Sequence, residues 1–208
     1  MDLSLFEVLD STSTKAYEML RSGKSPPFAV QALVQTAGRG RRGRRWESPR
    51  GNLYLTIVYP GDTESHCEWC QKIGPRLSAL RVAWVMAQII EKKARIRVTN
   101  KWPNDLYLYG AKLGGVLIES SVSRLGEGVQ WGPHVIGIGL NLAGIPEGLD
   151  GAAVLKDYTL DVDQIDLGQH ISQEFVQLWE KTPPCQLIAS MEPYLVGPGH
   201  PWIEGKEP

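Results

Sequence analysis

An arginine- and glycine-rich segment is the main chemical feature of the sequence. Residues 38–46 read Gly-Arg-Gly-Arg-Arg-Gly-Arg-Arg-Trp, and six of the twelve arginines lie between positions 39 and 50. We name residues 38–50 the arginine loop. Guanidinium groups bind phosphate in a bidentate manner, and glycine lets the backbone fold closely over a ligand. Three interpretations stay open: a loop that binds a nucleotide phosphate, a contact with nucleic acid, or a solvated basic loop.

The glycine spacing of this loop also matches the dinucleotide-binding pattern G-x-G-x-x-G, at Gly38, Gly40 and Gly43. That pattern binds a dinucleotide where it opens a helix, whose N-terminus holds the pyrophosphate. Here residues 46–51 contain a proline and a glycine, and the chain then enters a predicted strand. We therefore do not predict a Rossmann-type site.

Three further segments place polar side chains beside turns or glycines. Residues 101–105 read Lys-Trp-Pro-Asn-Asp, and the proline predicts a turn, which is either a plain Asx turn or a functional loop. Lys112 precedes Gly114 and Gly115 in a predicted strand, which indicates a kink or the close approach of a ligand. Residues 137–141 repeat this arrangement, with small residues followed by an amide.

A CxxC motif at Cys67 and Cys70, preceded by His66, is a weaker candidate. A structural zinc ion needs four ligands, and the sequence has no second CxxC or HxxxH motif. A thioredoxin-type site would need a βαβ context, which the motif lacks. We expect a pair of reduced thiols.

Hydrophobic periodicity predicts the elements that must position these residues. Helices are expected from the hydroxyl-rich segment 10–14 to about residue 21, over 74–93, and near 163–181. The hydroxyls of 10–14 suit a helix N-cap. Strands are expected over 28–34, 52–59, 95–99, 106–109, 113–120 and 135–142. Helices interspersed with hairpin-like strand pairs predict an α+β fold, a mixed sheet with helices packed on one face.

Composition excludes several classes of protein. The 208 residues are 42% hydrophobic and 22% charged, with a formal net charge of −1. There is no run of about 18 apolar residues, three cysteines are too few for a disulfide framework, and we recognise no export leader. We therefore expect a cytoplasmic globular protein. Charge is uneven, since residues 1–146 carry 19 basic and 12 acidic side chains and residues 147–208 carry 3 and 11.

Together, these motifs resemble those of the biotin–protein ligases. The resemblance covers roughly residues 5–180, in the family's order and spacing, and rests on residues 10–13, 35–43 with Trp46, 101–105, 112–115 and 137–141. It implies a catalytic domain over 1–185, similar to that of class II aminoacyl-tRNA synthetases. Residues 186–208 would be a linker and the beginning of a truncated SH3-like domain, and no N-terminal DNA-binding domain is expected.

The resemblance implies an ATP-dependent ligase. It would join biotin to ATP as biotinyl-5′-AMP, release pyrophosphate, and pass biotin to a lysine of a biotin carboxyl-carrier domain. Mg²⁺ would accompany ATP, and neither DNA nor a membrane is an expected partner. One alternative is a lipoate or octanoate ligase or transferase of the same superfamily. The alternative from another class is a nucleic-acid-binding module that uses the arginine loop.

The same resemblance implies roles for individual residues. Lys112, Arg39 and Arg41 would be catalytic, with the lysine and the loop converging on the acyl-phosphate junction. The residues implied to bind biotin are Ser11, Thr12, Ser13, Gln35, Arg39, Gly40, Arg41, Lys112, Gly115, Gly137 and Gly139. Those implied to bind ATP are Arg41, Arg42, Trp46, Lys101, Asn104 and Asn141, with Asn104 and Asn141 also near Mg²⁺. Ser13 stands where the family often has asparagine, so one ureido contact would be lost or replaced by water.

Overall fold

The computed structural model describes residues 1–61, 68–125, 128–145, 151–159 and 162–181, of which 68–78, 122–125 and 128–131 are described by their backbone alone. The strands in this part of the chain are β1 (Asp2–Leu9), β2 (Phe28–Gln35), β3 (Leu53–Tyr59), β4 (Thr99–Lys101), β5 (Asp105–Leu108), β6 (Ala111–Leu125) and β7 (Gly128–Leu140). The helices there are α1 (Thr12–Arg21), α2 (Glu68–Ala94) and α3 (Gln164–Lys181). His66, Cys67, the Cys70 side chain and residues 186–208 lie outside the described residues, so the expectations for them stay predictions.

The described strands form one mixed sheet in the order β1-β2-β3-β7-β6-β5-β4. β1 and β2 are parallel, and the other neighbouring pairs are antiparallel. A parallel pair needs a crossover connection, and α1 provides it. The predicted α+β class with a mixed sheet is confirmed. No helix in the described ranges is both long and apolar enough to cross a membrane.

Helices cover both faces of the sheet rather than one. Leu55 and Ile57 of β3 belong to the larger core, which includes buried residues of α2 and α3. On the opposite face, Val30 and Val58 pack with Ala16 of α1. Successive side chains of a strand point to opposite faces, so one strand can support a helix on each side. The expectation of a single helical face therefore holds for α2 and α3 but not for α1.

The sequence prediction was wrong at two strands. β1 was not predicted, and its pairing with β2 joins segments more than twenty residues apart. The strand predicted over 95–99 begins only at Thr99, as β4. Arg95 has a φ of +56°, a left-handed conformation that ends α2 and cannot begin a strand.

Candidate active site

A cavity of about 540 Å³ opens on the sheet face that carries α1. Gly115 of β6 and Gly137 and Gly139 of β7 line it, as neighbouring positions of paired strands. A Cβ atom at Gly137 would lie 3.2 Å from Ser13 Oγ, and one at Gly139 would lie 2.6 Å from the Trp46 ring. Side chains of α1 and the arginine loop therefore occupy the space that these glycines leave.

Hydroxyl groups at the start of α1 form one polar end of the cavity. Ser11 is the N-cap residue, as expected, but its side chain makes no capping hydrogen bond. Instead, Gln35 Oε1 accepts hydrogen bonds from the Thr12 backbone N–H at 2.9 Å and from the Thr12 hydroxyl at 3.1 Å. The hydroxyls of Thr12 and Ser13 both contact Thr56 Oγ1. A side chain from β2 thus satisfies the helix N-terminus, and Ser11 is left to line the cavity.

Two arginines connect the arginine loop to β6 and to the turn between β4 and β5. Arg39 Nη2 lies 3.0 Å from Glu119 Oε2, and Arg41 Nη1 donates to Asn104 Oδ1 at 2.6 Å. Both arginines line the cavity, as does Gly40 between them. Arg42 is exposed in a left-handed conformation, with a φ of +59°. Arg39 and Arg41 both precede this left-handed residue, and they contact different parts of the chain.

Hydrogen bonds hold the C-terminal part of the arginine loop, residues 46–50, in place. The Trp46 backbone N–H donates to the Gly38 carbonyl at 2.9 Å, which closes the loop. Tyr54 Oη donates to the Pro49 carbonyl at 2.7 Å. Burial raises the pKa of the Tyr54 phenol well above its ordinary value, so this group stays a donor. The loop is therefore held as a defined lobe against the cavity.

Lys112 lies in the cavity beneath the arginine loop. Its Nζ is 2.9 Å from Asp105 Oδ1 and 5.8 Å from the centre of the Trp46 ring. Both Lys112 and Asp105 line the cavity together with Arg39 and Arg41. Sequence reasoning missed Asp105 as a site residue, although it follows Asn104 in the Lys-Trp-Pro-Asn-Asp segment.

The polar residues of the Lys-Trp-Pro-Asn-Asp segment, residues 101–105, lie in two different environments. Asn104 is buried and donates through Nδ2 to the Val116 carbonyl at 2.9 Å. Lys101 Nζ lies 3.4 Å from Tyr107 Oη and does not line the cavity. Of the residues implied to bind ATP, those that line the cavity are Arg41, Trp46, Asn104 and Asn141. Arg42 and Lys101 are outside it, and their roles stay predictions.

Asn52 shapes the segment that follows β7. Its Oδ1 accepts hydrogen bonds from the backbone N–H groups of Leu142, Ala143 and Gly144, at 2.8, 2.9 and 3.2 Å. The side chain is almost completely buried. Because Asn141 comes directly before this segment and lines the cavity, Asn52 fixes where that amide lies. Sequence reasoning placed Asn52 at the start of a strand and gave it no role.

Asn104 and Asn141, the two residues expected near Mg²⁺, both line the cavity, and their role towards the ion stays a prediction. Asn104 Oδ1 accepts a hydrogen bond from the Arg41 guanidinium. In the described part of the chain no three His, Cys, Asp or Glu side chains are grouped as metal ligands. Mg²⁺ is usually held by one or two carboxylates and by substrate phosphates rather than by an all-protein cage.

The cavity thus has a neutral hydroxyl end and a cationic end. At the second end lie Arg41, which is bonded to Asn104, and Lys112, which is paired with Asp105. Arg39 also lines the cavity but pairs with Glu119 further along β6. Such a group of charges can neutralise two anions at once, for example a carboxylate beside a phosphate. The tryptophan beside Lys112 adds a flat apolar surface.

Comparison with known proteins agrees with this arrangement. Residues 5–141 match the model of the biotin/lipoate A/B protein ligase family. The chain is 37% identical over 145 residues to the bifunctional ligase/repressor BirA of Escherichia coli (strain K12), covering 68% of this chain and 40% of that protein. It is 39% identical over 144 residues to the biotin–[acetyl-CoA-carboxylase] ligase of Paracoccus denitrificans, covering 66% of this chain and 53% of that protein. The chain thus spans about half or less of these relatives' length.

Solved structures show the same fold. Biotin protein ligase from Leishmania major, in complex with biotinyl-5-AMP, is similar with a TM-score of 0.72 and 28% identity, over 94% of this chain and 81% of that one. Biotin protein ligase from Aquifex aeolicus, in complex with biotin and ATP, has a TM-score of 0.74 at 24% identity, over 94% of this chain and 78% of that one. With the family model matched across α1, the arginine loop and the glycine-lined cavity, the chain belongs to the biotin/lipoate A/B protein ligase family.

Proposed function

We propose that this chain is an ATP-dependent biotin ligase. It forms biotinyl-5′-AMP from biotin and ATP and then transfers the biotinyl group to a lysine of a biotin carboxyl-carrier domain. The observation that carries the proposal is a cavity whose lining combines buried hydroxyls with the cations of Arg39, Arg41 and Lys112. A carboxylic acid with a polar head group fits this division, with its carboxylate beside Lys112.

The hydroxyl end supports biotin over lipoate and octanoate. Ser11, Thr12, Ser13 and Gln35 line it, and the three hydroxyl side chains are almost completely buried. A cyclic urea offers two N–H donors and a carbonyl acceptor to such groups. A dithiolane or an alkyl chain offers no such donors or acceptors, and the loss of a hydrogen-bond partner at a buried polar group costs about 1–3 kcal/mol.

In the first step, a biotin carboxylate oxygen attacks the α-phosphorus of ATP. A bond forms between that oxygen and phosphorus, and the bond to the bridging oxygen breaks, so pyrophosphate leaves with its electron pair. Negative charge accumulates on the non-bridging oxygens as the bond forms. We assign the neutralisation of that charge to Lys112, Arg39 and Arg41, and their place in the cavity lining supports this assignment.

In the second step, the neutral amine of the carrier lysine attacks the acyl carbon and forms an amide bond. The bond from that carbon to the phosphate oxygen breaks, so AMP leaves with its electron pair, and the nitrogen loses a proton to solvent. The mixed anhydride is readily hydrolysed, so water must be kept away until the carrier arrives. The arginine loop serves this purpose, because its contacts with Glu119 and Asn104 hold it against the cavity. Loop opening then admits the carrier lysine.

The remaining parts of the proposal concern the setting of the reaction. ATP would react as its magnesium complex, with phosphate oxygens and water supplying most ligands. The carrier would be the carboxyl-carrier domain of a biotin-dependent carboxylase, and the reaction would take place in the cytoplasm. A catalytic domain over residues 1–185 is part of the same proposal.

The test is direct detection of the adenylate. The chain is incubated with ATP and Mg²⁺ and either biotin, lipoate or octanoate, and products are identified by mass spectrometry. We expect biotinyl-AMP and pyrophosphate from biotin, and no adenylate from the other two acids. A lipoyl or octanoyl adenylate would favour the alternative in the same superfamily, and no adenylate from any acid would refute ligase activity.

A further inference from the structure

Thr56 lies at the centre of a buried hydrogen-bond network beneath the hydroxyl end of the cavity. Its side chain is fully buried and does not line the cavity. Thr56 Oγ1 is 2.8 Å from Thr12 Oγ1 and 3.2 Å from Ser13 Oγ. Thr12 Oγ1 is in turn 3.1 Å from Gln35 Oε1. Thr56 therefore contacts two cavity-lining hydroxyls from behind.

The donor and the acceptor of each hydrogen bond in this network can be assigned by starting from Ser48 in the arginine loop. Ser48 Oγ lies 2.9 Å from the Trp46 carbonyl, which can only accept, so the single Ser48 hydroxyl proton is used there. Ser48 Oγ can then only accept from Gln35 Nε2, at 2.9 Å. This fixes the Gln35 amide with Oε1 towards Thr12, where the backbone N–H also needs an acceptor.

The assignment continues to the cavity surface. The Thr12 hydroxyl proton goes to Gln35 Oε1, so the bond between Thr12 and Thr56 must use the Thr56 proton. Thr56 then has no proton for Ser13, and the Ser13 hydroxyl must donate to Thr56. Ser13 Oγ lines the cavity with its proton already used, and it therefore offers only lone pairs to a ligand.

We propose that Thr56 is a specificity-determining positioning residue that makes Ser13 an obligate hydrogen-bond acceptor and so selects a head group bearing an N–H. This inference rests on the proposed function, in which that N–H belongs to the ureido ring of biotin. A head group without an N–H leaves the lone pairs of Ser13 Oγ that face the cavity without a donor, in a side chain that is only 5% exposed. Sites built around a ligand N–H reject analogues that lack it far more strongly than apolar pockets reject an altered carbon chain.

The experiment compares three variants by calorimetry. Thr56→Val keeps the shape of the side chain but removes the hydroxyl, so Ser13 loses its acceptor and is free to turn its proton to the cavity. We expect the Kd for biotin to rise about tenfold, while the Kd for octanoate changes less than about twofold. Thr56→Ser, which keeps the hydroxyl, should restore most of the affinity. Thr99→Val is the matched control, because the Thr99 hydroxyl donates to the Tyr107 carbonyl away from the cavity.

Two further measurements separate orientation from packing. Desthiobiotin keeps the urea but lacks the thioether ring, so Thr56→Val should weaken it by the same factor as biotin. The rate of adenylate formation at saturating biotin should change by less than about twofold, because the cationic end is untouched. If Thr56→Val does not fold, Ser13→Ala should still lower the preference for biotin over octanoate by about tenfold.

Results that contradict the role of Thr56 can be distinguished from results that contradict the proposed function. Unchanged biotin affinity in Thr56→Val, equal losses for biotin and octanoate, or an equally large loss in Thr56→Ser would overturn the role of Thr56. Failure of the unsubstituted chain to bind biotin would overturn the proposed function itself, before any variant is compared.

Discussion

Lys112 has two roles to reconcile, since it is an ion-pair partner in this structure and a catalyst in the proposed reaction. Its Nζ is 2.9 Å from Asp105 Oδ1, and both side chains are partly exposed to the cavity. A carboxylate and a phosphate entering together would present more negative charge to the ammonium than Asp105 alone. The pair therefore holds the lysine in position until substrates arrive and adds little stability of its own, as is usual for solvent-accessible pairs.

We expect Lys112→Ala to suppress adenylate formation far more than biotin binding. Charge on the phosphate grows in the transition state, so losing one stabilising cation should slow adenylation by roughly 10²–10³-fold. The Kd for biotin should rise by less than about tenfold, because the head group is bound at the other end of the cavity. Single-turnover kinetics with calorimetry separates the two quantities.

Lys92→Ala is the control for this substitution, because Lys92 pairs with Glu174 on the surface of the helical layer. It should leave both quantities unchanged. Equal losses in adenylation and in biotin binding by Lys112→Ala would mean that the lysine only binds substrate.

At the scale of elements, the glycines of β7 decide how closely the arginine loop approaches the sheet. We expect Gly139→Ala to displace Trp46, because the new Cβ would lie 2.6–2.9 Å from three atoms of its ring. Crowding of this kind typically lowers the free energy of unfolding by about 1–3 kcal/mol. Since Trp46 is the residue proposed beside the adenine, the KM for ATP should also rise, by about tenfold.

Gly144→Ala provides the matched comparison, because no atom lies within 4 Å of the added Cβ and the φ is not left-handed. Its unfolding free energy should stay within about 0.5 kcal/mol of the parent chain. Denaturant unfolding and ATP saturation curves for both variants give the result. If the two substitutions had equal effects, steric contact with Trp46 would not be the cause.

The arginine loop itself is held by contacts that are individually weak. The Arg39–Glu119 pair is partly exposed, and such pairs contribute about 0.2–1 kcal/mol. We expect Glu119→Gln to increase the fraction of molecules in which the arginine loop is open. Trypsin should then cut within the loop about two- to fivefold faster. Biotin with ATP should protect the loop in both proteins.

Glu18→Gln serves as the control for the loop experiment, because it removes an exposed pair with Lys15 within α1. Its cleavage rate in the loop should equal that of the parent chain. If cleavage in Glu119→Gln were also unchanged, the ion pair would not restrain the loop.

Local sequence patterns were sufficient for the elements whose signal is local. The apolar runs that became β2 and β3 and the helical period of α3 depend on neighbouring residues, and these elements were predicted almost to their ends. β1 was missed because it is an edge strand, several of whose side chains are exposed, and its only partner is distant in sequence. β4 was misplaced because the left-handed Arg95 cannot be read from residue type.

The resemblance predicted the residues of the site more completely than it predicted the contacts that support them. Most of the residues that the family motifs pointed to line one cavity, but the motifs carried no information on which side chains hold them. Gln35 as the partner of the α1 N-terminus, Asn52 under the segment after β7, and Thr56 behind the hydroxyls depend on long-range packing. None of these contacts has a local periodicity that a sequence could reveal.

For the whole molecule, the arginine loop raises the question of nucleic-acid binding. Its basic residues are largely engaged within the chain, since Arg39, Arg45 and Arg50 pair with Glu119, Glu47 and Glu7. The formal net charge of the full chain is −1. Non-specific affinity for DNA requires cations that are free to neutralise several phosphates. We therefore expect the loop to bind a small anion in the cavity rather than a polyanion.

We expect duplex DNA to bind more weakly than about 10⁻⁴ M at physiological salt, at the weak end of non-specific binding. Arg41→Ala should reduce adenylate formation by roughly 10²-fold, because it removes a cation from the cavity, and should leave the DNA affinity unchanged. Fluorescence anisotropy with labelled DNA at two salt concentrations, alongside the adenylate assay, measures both effects. Micromolar DNA binding that weakened steeply with salt and was lost in Arg41→Ala would show that the arginines serve nucleic acid. Loss of adenylation with no measurable DNA binding would show that the arginines serve acyl-phosphate chemistry. The physical reason is that Arg41 lines the cavity and acts on the substrates bound there.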